Sequence, residues 1–381
     1  MADGTSIEWA RHPVTGRGAS WNPLLARTKE TGKVGYHCEH ASPGCVNCYA
    51  EAFNRRRLPA RGTGLSFHPG YRNILEIFLD DRMLLDPIRW REPRGIFVCS
   101  MTDLFGVFVP IILIDRMMAI ACLAQHHVYM VLTKRPERAR EYLSDPATPA
   151  RIAYQLGVLA AEHPELLQRT IDASQSLTLG GWPLRSVWLG TSVEDQRRAN
   201  ERIPELLEAP AAVRFLSVEP ILEPIDLRAF GMAVHHHPDN QDSPELRAIM
   251  RAARSHLSGG KTVDWVIAGF ESGTQARAAA DAPDIARSLR DQCAAAGVPF
   301  FFKQWGSWAF APDGMNYQDA MAWGTRQRYS LSRKSEAWGG SGGLPTRYQQ
   351  FSNGRTAFYT GKKDAGRLLD GVEHNAMPEL R

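Results

Sequence analysis

Six short runs in this chain are apolar at nearly every position: 95–100 (GIFVCS), 128–133 (VYMVLT), 186–192 (SVWLGTS), 213–219 (VRFLSVE), 263–271 (VDWVIAGFE) and 298–305 (VPFFFKQW). They do not alternate between apolar and polar residues, so they read as strands buried on both faces, the situation of parallel strands covered by helices. Helical patterns separate most of them: 110–125, the stretch from Pro136 (PERAREYL), the stretch after Ser192 (VEDQRRANERI) and 283–296. Pro136 sits where the first turn of a helix tolerates proline. Further strands are expected at 7–9 and 65–69, and 74–90 (ILEIFLDDRMLLDPIRW) reads as a helix until Pro87. Counting 7–9 gives about eight β/α units, which predicts an α/β fold of (β/α) TIM-barrel type. A doubly wound open sheet is the alternative that periodicity leaves in place.

Two segments break the rhythm and read as insertions, near 143–184 and 228–262. The second contains His235, His236 and His237, which read as an exposed loop because adjacent residues seldom converge on one ion. The expected organisation is a barrel over 1–306, with a C-terminal extension over 307–381 packed on it and covering its mouth. The 381 residues are 44% hydrophobic and 23% charged, as in an ordinary globular protein. The nearest approach to a membrane span, 106–124, carries Asp115 and Arg116, so no membrane association is expected. A net charge of +4 permits a nucleic-acid partner without requiring one.

The segment 36–57 (YHCEHASPGCVNCYAEAFNRRR) places Cys38, Cys45 and Cys48 in a C-x6-C-x2-C array. Ser42, Pro43 and Gly44 are turn residues, so the array is a loop, and a helix is expected after Cys48. Three converging thiolates suit an iron–sulfur cluster with one iron left open, a zinc knuckle completed by His37, His40 or a distant residue, or, as the plainest alternative, unligated thiols. Nothing at the N-terminus resembles a secretory signal, so reduced thiols and a cytoplasmic location are expected. Cys99, Cys122 and Cys293 lie in apolar patterns and read as core residues. Arg55, Arg56, Arg57 and Arg61 form a basic patch beside the loop, readable as a solvated helix face or as a phosphate contact.

Barrel enzymes place their chemistry at the carboxyl ends of the strands. Polar residues recur there: Ser100, Thr102 and Asp103; Thr133, Lys134 and Arg135; Ser192, Glu194 and Asp195; Ser217 and Glu219; Glu271 and Ser272; Lys303, Gln304 and Trp305. Any of these could be a helix cap or a surface residue, with Ser192 and Thr133 as candidate N-caps. Beside an open-iron cluster, Tyr49, Ser100, Asp103, Thr133, Lys134, Ser192, Glu194, Ser217, Glu219 and Glu271 are candidates to bind S-adenosylmethionine. Arg135, Lys303, Gln304 and Trp305 are candidates for the substrate side. A metal-dependent hydrolase using these carboxylates is a more distant reading.

The segments SPGCVNCYAE, SMTDLF, VLTKRPER, VWLGTSVEDQ, RFLSVEPIL, DWVIAGFESG and FFFKQWG, with the terminal GRLLDG, resemble a phage-associated family named after phage gene products thirty-seven and sixty-eight and noted for a three-Cys motif. The resemblance spans roughly 5–306 and the last twenty residues, in matching order. It implies a radical-S-adenosylmethionine-like barrel enzyme with a 4Fe–4S cluster on Cys38, Cys45 and Cys48, S-adenosylmethionine as cofactor, and an electron donor or partner protein. A nucleic-acid base or lesion is the substrate suggested, by analogy with spore photoproduct lyase. A zinc-stabilised, non-catalytic nucleic-acid-binding or phage accessory protein is the alternative.

Overall fold

A computed structural model describes residues 4–5, 7–56, 62–230, 262–332 and 347–380. Strand β1 (Gly18–Trp21) leads into a small antiparallel sheet of β2 (Leu24–Thr28), β3 (Val34–Gly35) and β4 (Leu75–Leu79). Strands β5 (Gly95–Val98), β6 (Val128–Thr133), β7 (Val187–Ser192), β8 (Val213–Val218), β9 (Trp265–Gly269) and β10 (Phe300–Gln304) join β1 in one seven-stranded sheet. Every pairing in that sheet is parallel, in the spatial order β1-β5-β6-β7-β8-β9-β10. The order never turns back on itself, whereas a doubly wound sheet reverses at its switch point. Among the described residues no ladder joins β10 to β1.

The sheet is strongly curled. Flat strands four places apart would lie about 19 Å from one another. Yet the ring of Trp9 lies 4.7 Å from Phe97 on β5, 6.0 Å from Phe215 on β8 and 6.2 Å from Trp265 on β9. Met130, Trp188 and Phe301 complete this inner core. The alternate positions, among them Ile96, Val131, Leu189, Leu216, Val266 and Phe302, enter a larger outer core. There they meet helices such as Ile111–Leu123, Gln196–Glu208 and Ala282–Ala296. Burial on both faces is why these strands carry no alternation. The result is a mixed α/β fold with a partial barrel of seven parallel strands.

Three local expectations fail. Residues 7–9 form a turn-containing segment rather than a strand, and it delivers Trp9 to the inner core. Residues 65–69 are not a strand and lead into the 3-10 turn Pro69–Ile74. Residues 74–90 are not one helix: β4 pairs with β2 from Leu24↔Leu79 to Thr28↔Leu75, and two single-turn helices follow. Asp80 caps the first of these, accepting from the Met83 N–H at 2.9 Å.

The insertion at 143–184 contains the helices Thr148–Glu162 and Leu167–Thr178. Most of the 228–262 insertion, with His235, His236 and His237, lies outside the described residues, as do Arg57 and Arg61. The C-terminal extension contains a second antiparallel sheet of β11 (Trp308–Phe310), β12 (Tyr348–Gln350) and β13 (Thr356–Tyr359). Its last part runs beside β10: the Phe302 N–H donates to the His374 carbonyl at 2.9 Å, and Trp265 Nε1 donates to the Ala376 carbonyl at 2.9 Å. Among the described residues no helix is long and apolar enough to cross a membrane.

Candidate functional site

A cavity of about 590 Å³ opens at the carboxyl ends of the parallel strands. Cys38, Cys45 and Cys48 all line it. So do Tyr49, Ser100, Asp103, Thr133, Lys134, Arg135, Ser192, Ser217, Glu219, Glu271, Lys303 and Gln304. Two of the residues expected there, Glu194 and Trp305, do not line it.

The cysteine loop has little regular structure of its own, only the 3-10 turn Pro43–Cys45 before the helix Tyr49–Arg55. The strand ends hold it in place. Thr102 Oγ1 donates to the carbonyl of His37, and Arg135 Nη2 donates to that of Glu39 at 2.9 Å, so both neighbours of Cys38 are fixed. Arg135 is held by Asp103 at 2.9 Å. The Asp103 carboxylate also accepts from Thr133 Oγ1 at 2.7 Å and from the N–H groups of Lys134 and Phe105, both at 3.0 Å. Four donors fill its acceptor capacity. Asp103 and Arg135 therefore hold the loop, and their polar atoms are largely engaged within the protein.

Glu194 acts from the end of β7 in the same way. It is fully buried, paired with Arg202 at 3.0 Å, and accepts from the Gly44 N–H at 3.4 Å. Burial would raise its pKa, but Lys134, Arg202, the Ser42 side chain and the Gly44 N–H together hold it below the usual carboxylate range. From the end of β9, Glu271 accepts from Arg277 at 2.7–2.9 Å and hydrogen-bonds Asn47, while Asn47 donates to the Gln275 carbonyl at 3.1 Å. The Tyr49 hydroxyl donates to the carbonyl of Ser100, whose side chain is itself hydrogen-bonded to Asn22. Trp305 lies outside the cavity: its ring stacks on Phe270 at 5.6 Å and its indole N–H donates to the Leu368 carbonyl at 2.8 Å.

The thiols share one electrostatic environment. Burial pushes Cys38 up, Asp103 and the other two thiols add to this, and Arg135 opposes it. Burial also raises Cys48, against the backbone N–H groups of Glu51 and Ala50 and the Lys134 ammonium. The Ala41 N–H approaches Cys45 Sγ at 3.5 Å. The N–H donors and nearby cations oppose the effect of burial on Cys38 and Cys48 without cancelling it. Among the described residues no three Cys, His, Asp or Glu side chains meet where a single ion could be held. Of the two nearby histidines, His40 Nε2 lies 2.5 Å from Glu51, whereas His37 Nε2 is buried 3.6 Å from Glu39 without a hydrogen-bond partner.

What remains for a ligand is a smaller set. Ser192 and Ser217 are buried on the wall, and Lys303 Nζ meets both Glu219 oxygens at 2.8 and 2.9 Å. Arg202, Arg277, Asn47 and Asn22 escaped sequence reasoning, because nothing in their spacing marks them as partners of distant strand ends. Cys99, read as a core thiol, is buried and also lines the cavity, with a left-handed backbone (φ 54°) that a residue bearing a Cβ seldom adopts.

The family described as "Protein of unknown function (DUF5131)" matches residues 5–378. No curated protein and no solved structure matches the chain.

Proposed function

The chain belongs to the DUF5131 family, and we propose that it is a radical S-adenosylmethionine enzyme whose 4Fe–4S cluster is held by Cys38, Cys45 and Cys48. The observation that carries this reading is that the three thiols line a single cavity at the carboxyl ends of an all-parallel sheet. When bound, such a cluster supplies an open iron for the amino acid end of S-adenosylmethionine and an electron for its cleavage. In this reading the seven-stranded sheet is a radical-SAM-type (β/α) barrel, and the resemblance to phage three-Cys proteins points the same way.

The protein's own part is binding and orientation. Arg135 and Lys134 place positive charge beside the thiolates. Ser192 and Ser217 offer hydroxyls to a ribose, and the Glu219–Lys303 pair offers both charges to an amino acid group. Asp103, Glu194 and Glu271 keep the loop rigid, so that bound groups meet in a fixed geometry. The substrate proposed is a nucleic-acid base or lesion, with an electron donor from a partner protein, in the reducing cytoplasm.

The test is anaerobic purification and reconstitution, followed by EPR of the dithionite-reduced protein. A reduced-cluster signal that shifts with S-adenosylmethionine and vanishes in Cys45→Ala is expected. Stoichiometric zinc without iron would overturn the reading.

A further inference from the structure

Two polar atoms at the cavity are buried without a hydrogen-bond partner. One is the indole Nε1 of Trp9, a residue 2% exposed; the other is the side-chain oxygen of Gln304, a residue 4% exposed. Both residues line the cavity. The Gln304 amide has its orientation set by Glu219: Nε2 lies 3.4 Å from a Glu219 oxygen, and a carboxylate accepts only, so the amide oxygen is left over. The site therefore presents one unused donor and one unused acceptor, and each costs stability while it stays dry.

Their surroundings narrow what would complete them. Phe97 and Leu132 line the same cavity and give it apolar walls, one aromatic and one aliphatic. Ile7 and Trp9 come from the segment that precedes β1, Ser20 comes from β1 itself, and Gln304 comes from β10. Part of the lining thus comes from β1 and β10, the two strands that no ladder joins. Glu8, beside Trp9, pairs with Lys362 of the C-terminal extension at 3.4 Å, linking the segment to the far side of the gap.

From these observations we infer that this part of the cavity binds a planar heterocyclic base. The edges of a base carry both acceptors and donors, which suit an indole N–H and an amide oxygen. Its faces suit aromatic and aliphatic walls. This deepens the substrate reading above, yet it does not depend on the cluster. The base has two sources: a nucleic-acid substrate, or the adenine of an adenosyl cofactor.

The experiment is equilibrium dialysis of the full-length protein against thymidine and against adenosine, with the cluster reconstituted and with Cys38, Cys45 and Cys48 all changed to Ala. Binding of at least one nucleoside is expected in both forms, which keeps the pocket separate from the fate of the cluster. Thymidine binding assigns the pocket to a substrate base, and adenosine binding alone assigns it to the cofactor. Gln304→Met keeps the volume and Trp9→Phe keeps an aromatic wall. Each is expected to weaken binding about tenfold, with melting temperatures recorded alongside to separate lost contacts from lost folding. If neither nucleoside binds either form, or if both variants bind like the parent, water satisfies the two atoms and the inference falls.

Discussion

Changing Asp103 to Ala distinguishes a loop-holding carboxylate from a ligand-binding one. In the folded chain this carboxylate takes four hydrogen bonds, one of them from Arg135, with the two side chains only 8% and 10% exposed. Removing it strands a guanidinium in a nearly dry setting, which costs about 3–5 kcal/mol. Water entering from the cavity re-satisfies the Thr133 hydroxyl and the Lys134 N–H, so the lower half of that range applies. A loss of about 3–4 kcal/mol corresponds to a melting temperature lower by roughly 4–5 °C for a chain of this size. Asp103→Leu combined with Arg135→Met removes both charges and should recover most of the loss, giving a coupling energy of about 2 kcal/mol or more in a double-mutant cycle. Arg135 also holds the Glu39 carbonyl, so under the cluster reading proposed above the single variant should retain less iron after desalting. The assay is chemical denaturation of all four proteins. An Asp103→Ala protein within about 1 kcal/mol of the parent, but with weakened ligand binding, would refute this reasoning and restore the carboxylate to the ligand.

Two further outcomes follow from the same geometry. Trp305→Ala should lower stability by about 2–3 kcal/mol through loss of its stacking on Phe270 and its packing against Phe302; it should leave nucleoside affinity unchanged, as dialysis would show. His127 is pushed down to about 4, chiefly by burial, with its Nδ1 accepting from the Arg94 N–H at 3.1 Å and Nε2 at 2.9 Å from the Pro87 carbonyl. Its neutral form contributes stability in full above the unfolded value near 6.5, and the contribution is lost as pH falls from there through 4. His127→Gln should flatten the pH dependence of unfolding in that window.

The six long strands were legible because burial on both faces forces every position to be apolar. Such runs need no knowledge of their partners. Residues 74–90 show the opposite case. Leu75, Ile77 and Leu79 have strand spacing, but Phe78, Met83 and Leu84 fill a helical template equally well. The arbiter was β2, some fifty residues earlier, whose ladder takes the backbone of 75–79. The segment 7–9 failed for another reason: Trp9 is apolar because it plugs the inside of the curled sheet, not because it lies in a strand.

The site was legible as a neighbourhood but not as a division of labour. Glu194 and Glu219 both follow strands, both follow a Ser by two residues, and sequence gives them the same part. What separates them is the cation each meets: Arg202 on the following helix for one, Lys303 on β10 for the other. The first pair is nearly sealed from solvent and points its remaining oxygen at Gly44; the second faces the cavity. Gly44 closes the argument. A Cβ there would stand 3.2 Å from Glu194 Cδ and Pro220 Cδ, a tight spacing that a side chain could take only if these neighbours gave way by a few tenths of an ångström. The loop therefore rests directly on the ends of β7 and β8, while Cys38 and Cys48 also pack against a small cluster of Leu25, Tyr36, Ala50 and Phe67, so the cysteines take their positions from the sheet beneath them and from that cluster together.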